Sequence, residues 1–335
     1  MTRAGNAVSI FIVNKSTKQA LKWTIGILVM ALLCWHLYRQ IDLQLKSGAV
    51  FNWWPTDTVL YFVAAVLLLP INISIESRKW QWLLSSIRKT SFVQALPSVL
   101  CGIAASVITP NRIGEYPGRL LALRERRSTR LISVSILGAC SQLVSIMLAG
   151  CCGLLFYIPN HPASYNIAVL ILTIIVSIFL LLFYLSFEKW SGYIERFSWL
   201  QRLRLWARFL HRFSLREQII ILLASLARML VFFCQFWLLL RWQGVSMGFA
   251  EGMLLCALFF WAMAVIPSIA LAELGIRGTV AVFLFSAYTN NIAGIALAVF
   301  VIWLLNLMLP AFLGAFLFFK TKVPKILAKG KAVSV

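Results

Sequence analysis

Acidic side chains are scarce in this chain: ten Asp and Glu stand against 31 Lys and Arg in 335 residues, and only 12% of positions are charged. Soluble domains average about 25% charged residues, so too few polar groups are present here to coat a water-soluble globule. Histidine numbers three, and His36, His161 and His211 form no cluster. The seven cysteines (Cys34, Cys101, Cys140, Cys151, Cys152, Cys234, Cys256) lie almost all in apolar runs and make no CxxC pair. They read as small apolar residues, not as a zinc or disulfide framework. GxxxxGKS/T and HExxH are both missing, and no Ser, His and Asp set stands out as a triad. The expectation is a protein with no nucleotide, metal or other cofactor.

What the chain has in abundance is apolar sequence, 61% of all residues. Roughly 20 apolar residues cross the ~30 Å hydrocarbon layer as a helix. Leu131 to Ile158, Tyr165 to Phe187, Ile219 to Leu240 and Ile292 to Phe319 are long enough. Leu21 to Tyr38 and Val59 to Ile75 are shorter but adequate. The first of these follows Arg3, Lys15, Lys18 and Lys22 without a convincing cleavage site, and reads as a retained helix. The fold class is therefore all-α and polytopic, with about six spanning helices. Residues 1–335 form a single transmembrane domain.

The formal charge of +21 is distributed in the joints between apolar runs, which excludes a nucleic-acid-binding domain and points to anionic lipid headgroups as partners. Basic joints (the N-terminus, Glu76 to Lys89, Arg112 to Arg130, Glu188 to Glu217 and the tail from Lys320) alternate with nearly neutral ones. Both termini are thus expected on the cytoplasmic side. Segment 188–215 carries Arg204, Arg208 and Arg212 on one face, continued by Arg216 just beyond it, and Leu203, Trp206, Leu210 and Phe213 on another. It reads as an amphipathic interfacial helix joining halves 20–187 and 216–319, or as a plain cytoplasmic connector.

Two regions, Phe92 to Leu123 and Phe249 to Tyr288, resist a simple crossing count. Each needs an even number of passes, with breaks at Thr109 to Arg112 and near Pro267, and they are entered from opposite faces. Such a pair indicates an inverted repeat with a site between its halves. Parity does not separate re-entrant hairpins from full crossings. Pro110, Gly114 and Gly118 mark the first break, and Pro267 and Gly275 the second. Around them lie Arg112, Glu115, Arg119, Glu273 and Arg277, and Arg228 stands alone in the middle of Ile219 to Leu240.

Backbone freed by proline at membrane depth must line protein or water, and a charge there costs about 2.5 to 3.5 kcal/mol on insertion scales. The six charges, four of them arginine, suit a phosphate, which the guanidinium fork grips with two parallel hydrogen bonds. Helix N-termini after each proline would add free N–H groups. The alternative is that the same residues only pair internally and hold the breaks in shape. Glu76, Arg78 and Lys79 read as an interfacial collar, and Glu251 as an acidic residue suited to a helix N-terminus.

The two breaks resemble those of the flippase-like transmembrane region of lysylphosphatidylglycerol synthases, a region that also occurs as stand-alone membrane proteins. TPNRIGEYPGR (Thr109 to Arg119) is similar to that family's TPGRxGE followed by arginine, and IPSIALAELGIRG (Ile266 to Gly278) to its PxGxLGxRE. Asn111 replaces a usual glycine and Gly278 a usual glutamate, with Glu273 as the candidate replacement carboxylate. The resemblance implies a flippase-like protein of the bacterial cytoplasmic (inner) membrane that moves a phospholipid, or another lipid-linked substrate with a phosphate or amine headgroup, between leaflets. Glu115 and Glu273 would then orient the arginines or meet a cationic group. Lipid aminoacylation is not expected, because the synthases carry that activity in a separate cytoplasmic domain. Two other readings stay open: an enzyme or accessory subunit acting on a polyprenyl-phosphate or glycolipid, and a structural partner in a membrane complex. Homo-oligomerisation is also left open.

Overall fold

The computed structural model describes residues 35, 38, 39, 42, 54–109, 113–123, 128–160, 164–186, 213–266 and 273–320. Among them every regular element is helical and none is a strand, as hydrocarbon demands of a backbone that must satisfy its own N–H and C=O groups. Five helices are long and apolar enough to cross a membrane. They are α1 (Val59–Ser85), α4 (Ser128–Tyr157), α5 (Ser164–Leu185), α6 (Leu215–Trp242) and a final helix beginning at Ile292. The chain is thus an all-α polytopic membrane protein. On α5, Ile171, Ile175, Phe179 and Leu182 all point outward, an apolar stripe suited to lipid. The sixth expected helix, Leu21 to Tyr38, lies outside the described residues apart from Trp35 and Tyr38, which are helical. Most of the basic segment 188–215 lies outside them too.

The breaks fall where the prolines and glycines put them. In the first, α2 (Phe92–Ile108) ends at Thr109, and α3 (Glu115–Leu123) turns back along it. The Thr109 hydroxyl ties the two arms together: it accepts from the Gly114 N–H at 2.7 Å and donates to the Ala105 carbonyl at 3.1 Å. A Cβ on Gly114 would sit 2.3 Å from the Ala105 oxygen, and one on Gly118 would sit 2.6 Å from the Cys101 oxygen. Both glycines therefore serve the close antiparallel approach of α3 to α2. Pro117 falls in the first turn of α3, where its missing donor is harmless.

The second break separates α7 (Phe249–Val265) from α8 (Glu273–Phe285). Among the described residues, one arm of each break is shorter than a full crossing. The nine residues of α3 rise about 13.5 Å and the thirteen of α8 about 20 Å, against the ~30 Å a crossing needs.

The last helix is not uniform. It runs as α9 (Ile292–Trp303), a π-helical turn (Leu304–Met308) and α10 (Leu309–Lys320). Pro310 has no N–H to give to the carbonyl four residues back, and the ladder slips, with the Leu309 N–H reaching the Leu304 carbonyl.

Packing repeats between the two halves. Helices α1 and α6 lie against each other, α2 packs on α10, and α7 packs on α4. Both of the last two crossings close over a glycine. A Cβ on Gly314 of α10 would come 2.0 Å from the Leu100 oxygen, and one on Gly153 of α4 would come 2.8 Å from the Leu254 oxygen. Small residues let helices approach in this way in a membrane, where no water drives them together. Two apolar clusters result, one around Trp80, Leu83, Tyr184 and Phe213 and the other around Phe233, Phe236, Phe259 and Phe285.

Candidate functional site

Helix α1 is ten residues longer than its apolar run suggests, and this overturns the reading of Glu76 and Lys79 as an interfacial collar. Ala65, Leu69, Asn72, Glu76, Lys79 and Leu83 recur every three or four residues and are all buried. They form one continuous stripe facing the bundle. Arg78, off that stripe, is exposed and donates to Gln81 at 2.8 Å. The signal was in the sequence: the 3.6-residue spacing of the apolar stripe continues through the charged positions.

Glu76 is only 4% exposed and is the hub of the site. Its Oε1 accepts from Arg119 Nη2 at 2.8 Å, and its Oε2 receives Lys79 Nζ at 2.8 Å and Arg228 Nη1 at 3.0 Å. Arg119 also pairs with Glu115, four residues before it on α3. Its guanidinium lies over the Trp80 ring, 4.6 Å from the centroid. The Trp80 indole N–H donates to Ser98 Oγ at 3.0 Å, and that hydroxyl donates to the Arg119 carbonyl at 3.1 Å. Arg228 Nε donates to Asn72 at 3.0 Å, and Lys79 Nζ reaches Ser225 Oγ at 3.4 Å. Three helices, α1, α3 and α6, thus meet through one carboxylate, the arrangement a buried charge requires.

A cavity of about 730 Å³ opens beside this cluster, at the seam of the two apolar cores. Glu76, Lys79, Glu115, Arg119 and Arg228 line it, and Arg277 reaches it from the second hairpin. Four cations face two carboxylates among these described residues. Ser106, Thr109, Ser135, Gln142 and Asn306 supply further polar lining, and Phe232, Phe260 and Met263 an apolar wall. Asn306 belongs to the π-helical turn, a distortion often found at functional positions.

Of the expected site residues, Glu115, Arg119, Arg228 and Arg277 share the cavity. Arg112, Pro110 and Pro267 lie outside the described residues, and Glu273 is described only as the residue that opens α8. Gly275 is buried within α8. Glu76 and Lys79 join the site, although sequence reasoning set them aside. The structure also aligns the two breaks better than their motifs do. Glu115 and Arg119 in α3, and Glu273 and Arg277 in α8, stand four residues apart, and each glutamate is the first residue of its half-helix, where an acid suits the dipole.

Away from the cavity, Glu251 sits in the first turn of α7, as expected for an acid at a helix start, and accepts from the Tyr288 hydroxyl at 2.7 Å. Partial burial, with the hydrogen bond to and charge of Glu251, pushes the Tyr288 phenol up to about 12. No group of His, Cys, Asp and Glu among the described residues could hold a metal ion.

Together these features define a class: a polytopic helical membrane protein in which two interrupted hairpins close on a polar, cation-rich cavity. Residues 23–314 match the lysylphosphatidylglycerol synthase TM region, and the chain belongs to that family. No curated protein matches it closely enough to add a relative.

Proposed function

We propose that this protein moves a lipid with a phosphate-bearing headgroup between the leaflets of the bacterial cytoplasmic membrane, with both termini cytoplasmic. The observation that carries the reading is the cavity of about 730 Å³, lined from both hairpins, in which cations outnumber carboxylates. Such a volume lies within the ~300–1,000 Å³ typical of small-ligand sites. It suits a headgroup, while the acyl chains remain in lipid along the apolar wall. Unaided crossing is slow because the phosphate must shed its water; guanidinium groups in the cavity replace that water.

The chain carries no GxxxxGKS/T motif, so direct drive by ATP is not expected. Either the cargo is neutral or anionic overall, or a gradient or a sink pulls it. Outward movement of a cargo with one net positive charge opposes an inside-negative potential by about 2.3 kcal/mol per 100 mV, which favours a neutral or anionic cargo. The test is reconstitution into vesicles containing labelled phospholipid, comparing wild type with Arg228→Ala and Arg277→Ala. Rapid leaflet exchange that both variants slow supports the reading, with the lipid's mass unchanged. Exchange at the wild-type rate in both variants sinks it. A changed lipid mass would make the protein an enzyme on its lipid instead.

A further inference from the structure

We propose that Glu76 is a resident counter-anion: it holds the place that a phosphate oxyanion of the ligand takes, and the ligand enters by exchange with it at Arg228. This rests on the headgroup-binding reading of the cavity. Three cations from three helices, Lys79, Arg119 and Arg228, converge on the two oxygens of one carboxylate at 2.8 to 3.0 Å. So many donors around one anion is a setting a phosphate would equally satisfy.

The three cations are not equally free to exchange. Arg119 is clamped by Glu115, by the Trp80 ring and by the Ser98 bridge to its own backbone. Lys79 is only 2% exposed. Arg228 is held, besides Glu76, through its Nε by Asn72 and lies over the Phe232 ring. Its side chain is nevertheless 20% exposed, its Nη1 makes the bond to be exchanged, and Arg277 reaches the same cavity from the second hairpin. An anion arriving between Arg228 and Arg277 can draw Arg228 away from Glu76. The carboxylate is then still neutralised by Lys79 and Arg119, so the exchange leaves no buried charge unpaired. The same carboxylate competes for Arg228 when the ligand departs. It thereby prevents a cavity with excess positive charge from holding an anion too tightly to release it.

The consequence is that removing the negative charge of Glu76 should strengthen anion binding, the opposite of what loss of a direct ligand-binding residue does. The experiment follows thermal unfolding of the full chain in dodecyl maltoside micelles. It is titrated in one arm with inorganic phosphate against sodium chloride at matched ionic strength, and in the other with phosphatidylglycerol doped into the micelles. For Glu76→Gln the concentration giving half-maximal stabilisation should fall about tenfold, the factor set by a close charge pair worth ~1.4 kcal/mol. For Arg228→Gln the stabilisation should be lost.

A shift in both arms means the phosphate group alone suffices, and a shift with phosphatidylglycerol only means that the lipid headgroup is needed; either supports the exchange. An unchanged or raised midpoint for Glu76→Gln in both arms overturns it. Should Glu76→Gln fail to fold, Glu76→Asp keeps the charge but draws it back from Arg228. It should shift the midpoint in the same direction by a smaller factor, and no shift there also overturns the exchange. Leaflet exchange of labelled lipid, measured on the same preparations, separates this inference from the transport reading. A lowered midpoint with no leaflet exchange in wild type leaves the counter-anion standing and removes transport. Exchange with an unmoved midpoint does the reverse.

Discussion

Glu76 and Arg119 lie 43 residues apart in the chain and on different helices, yet Arg119 Nη2 stands 2.8 Å from Glu76 Oε1, with both side chains buried at the edge of the cavity. This contact joins the first long helix to the short arm of the first hairpin, and through Arg228 to α6. Breaking one partner of a buried pair typically destabilises by about 3–5 kcal/mol, because the other charge is left uncompensated. Arg119→Ala is therefore expected to unfold at markedly lower temperature or denaturant than wild type in detergent. A double-mutant cycle with Glu76→Gln should give a coupling of roughly 1–3 kcal/mol. Additive effects would show that the pair is incidental.

The glycines of the first hairpin should tolerate no methyl group. Gly118→Ala would place a Cβ 2.6 Å from the Cys101 carbonyl oxygen and 2.7 Å from the Ala105 Cβ, so the arms must separate, at a cost of about 1–3 kcal/mol. Gly248→Ala is the control, since nothing lies within 4 Å of the added carbon. Thermal unfolding of the two variants should differ, with Gly118→Ala the less stable and Gly248→Ala close to wild type.

Arg228 and Arg277 face the cavity from different helices. If each donates a charge-assisted hydrogen bond to a phosphate, worth about 1.5–3 kcal/mol, each alanine variant should slow lipid exchange by roughly 10- to 100-fold. The measurement is the rate at which labelled phospholipid becomes accessible to a membrane-impermeant quencher. Lysine at either position should recover part of the rate, since it returns the charge without the planar fork.

Tyr288 offers a titration outside the spanning helices. Its phenol, raised from 10.0 to about 12 by partial burial and then by Glu251, is neutral when protonated. The stability this supplies is therefore fully present below pH 10 and is lost as the pH rises towards about 12. Phenolate absorbance should show one tyrosine ionising late. Glu251→Gln should move that step to lower pH, because the negative charge opposing ionisation is gone. A late step that the substitution leaves in place would assign it to another tyrosine.

Much of the fold was legible because hydropathy is a local property. The run Leu131 to Ile158 became α4 (Ser128–Tyr157), and Phe92 to Ile108 became α2 with the same bounds. Proline and glycine marked the breaks for equally local reasons, a missing donor and a missing Cβ. What misled was treating charge as a sign of the membrane surface: Glu76 and Lys79 follow an apolar run, yet they continue its buried face.

The sequence by itself determined that this is a helical membrane protein with two charged interruptions, since hydrocarbon selects apolar helices and punishes unpaired charge at every position separately. Only the tertiary structure decided which charges meet. The Glu76 cluster exists because α1, α3 and α6 pack together, and the cavity because the second hairpin brings Arg277 to the same place. Such convergence depends on the register and rotation of helices distant in the chain, and no local pattern of residues encodes it.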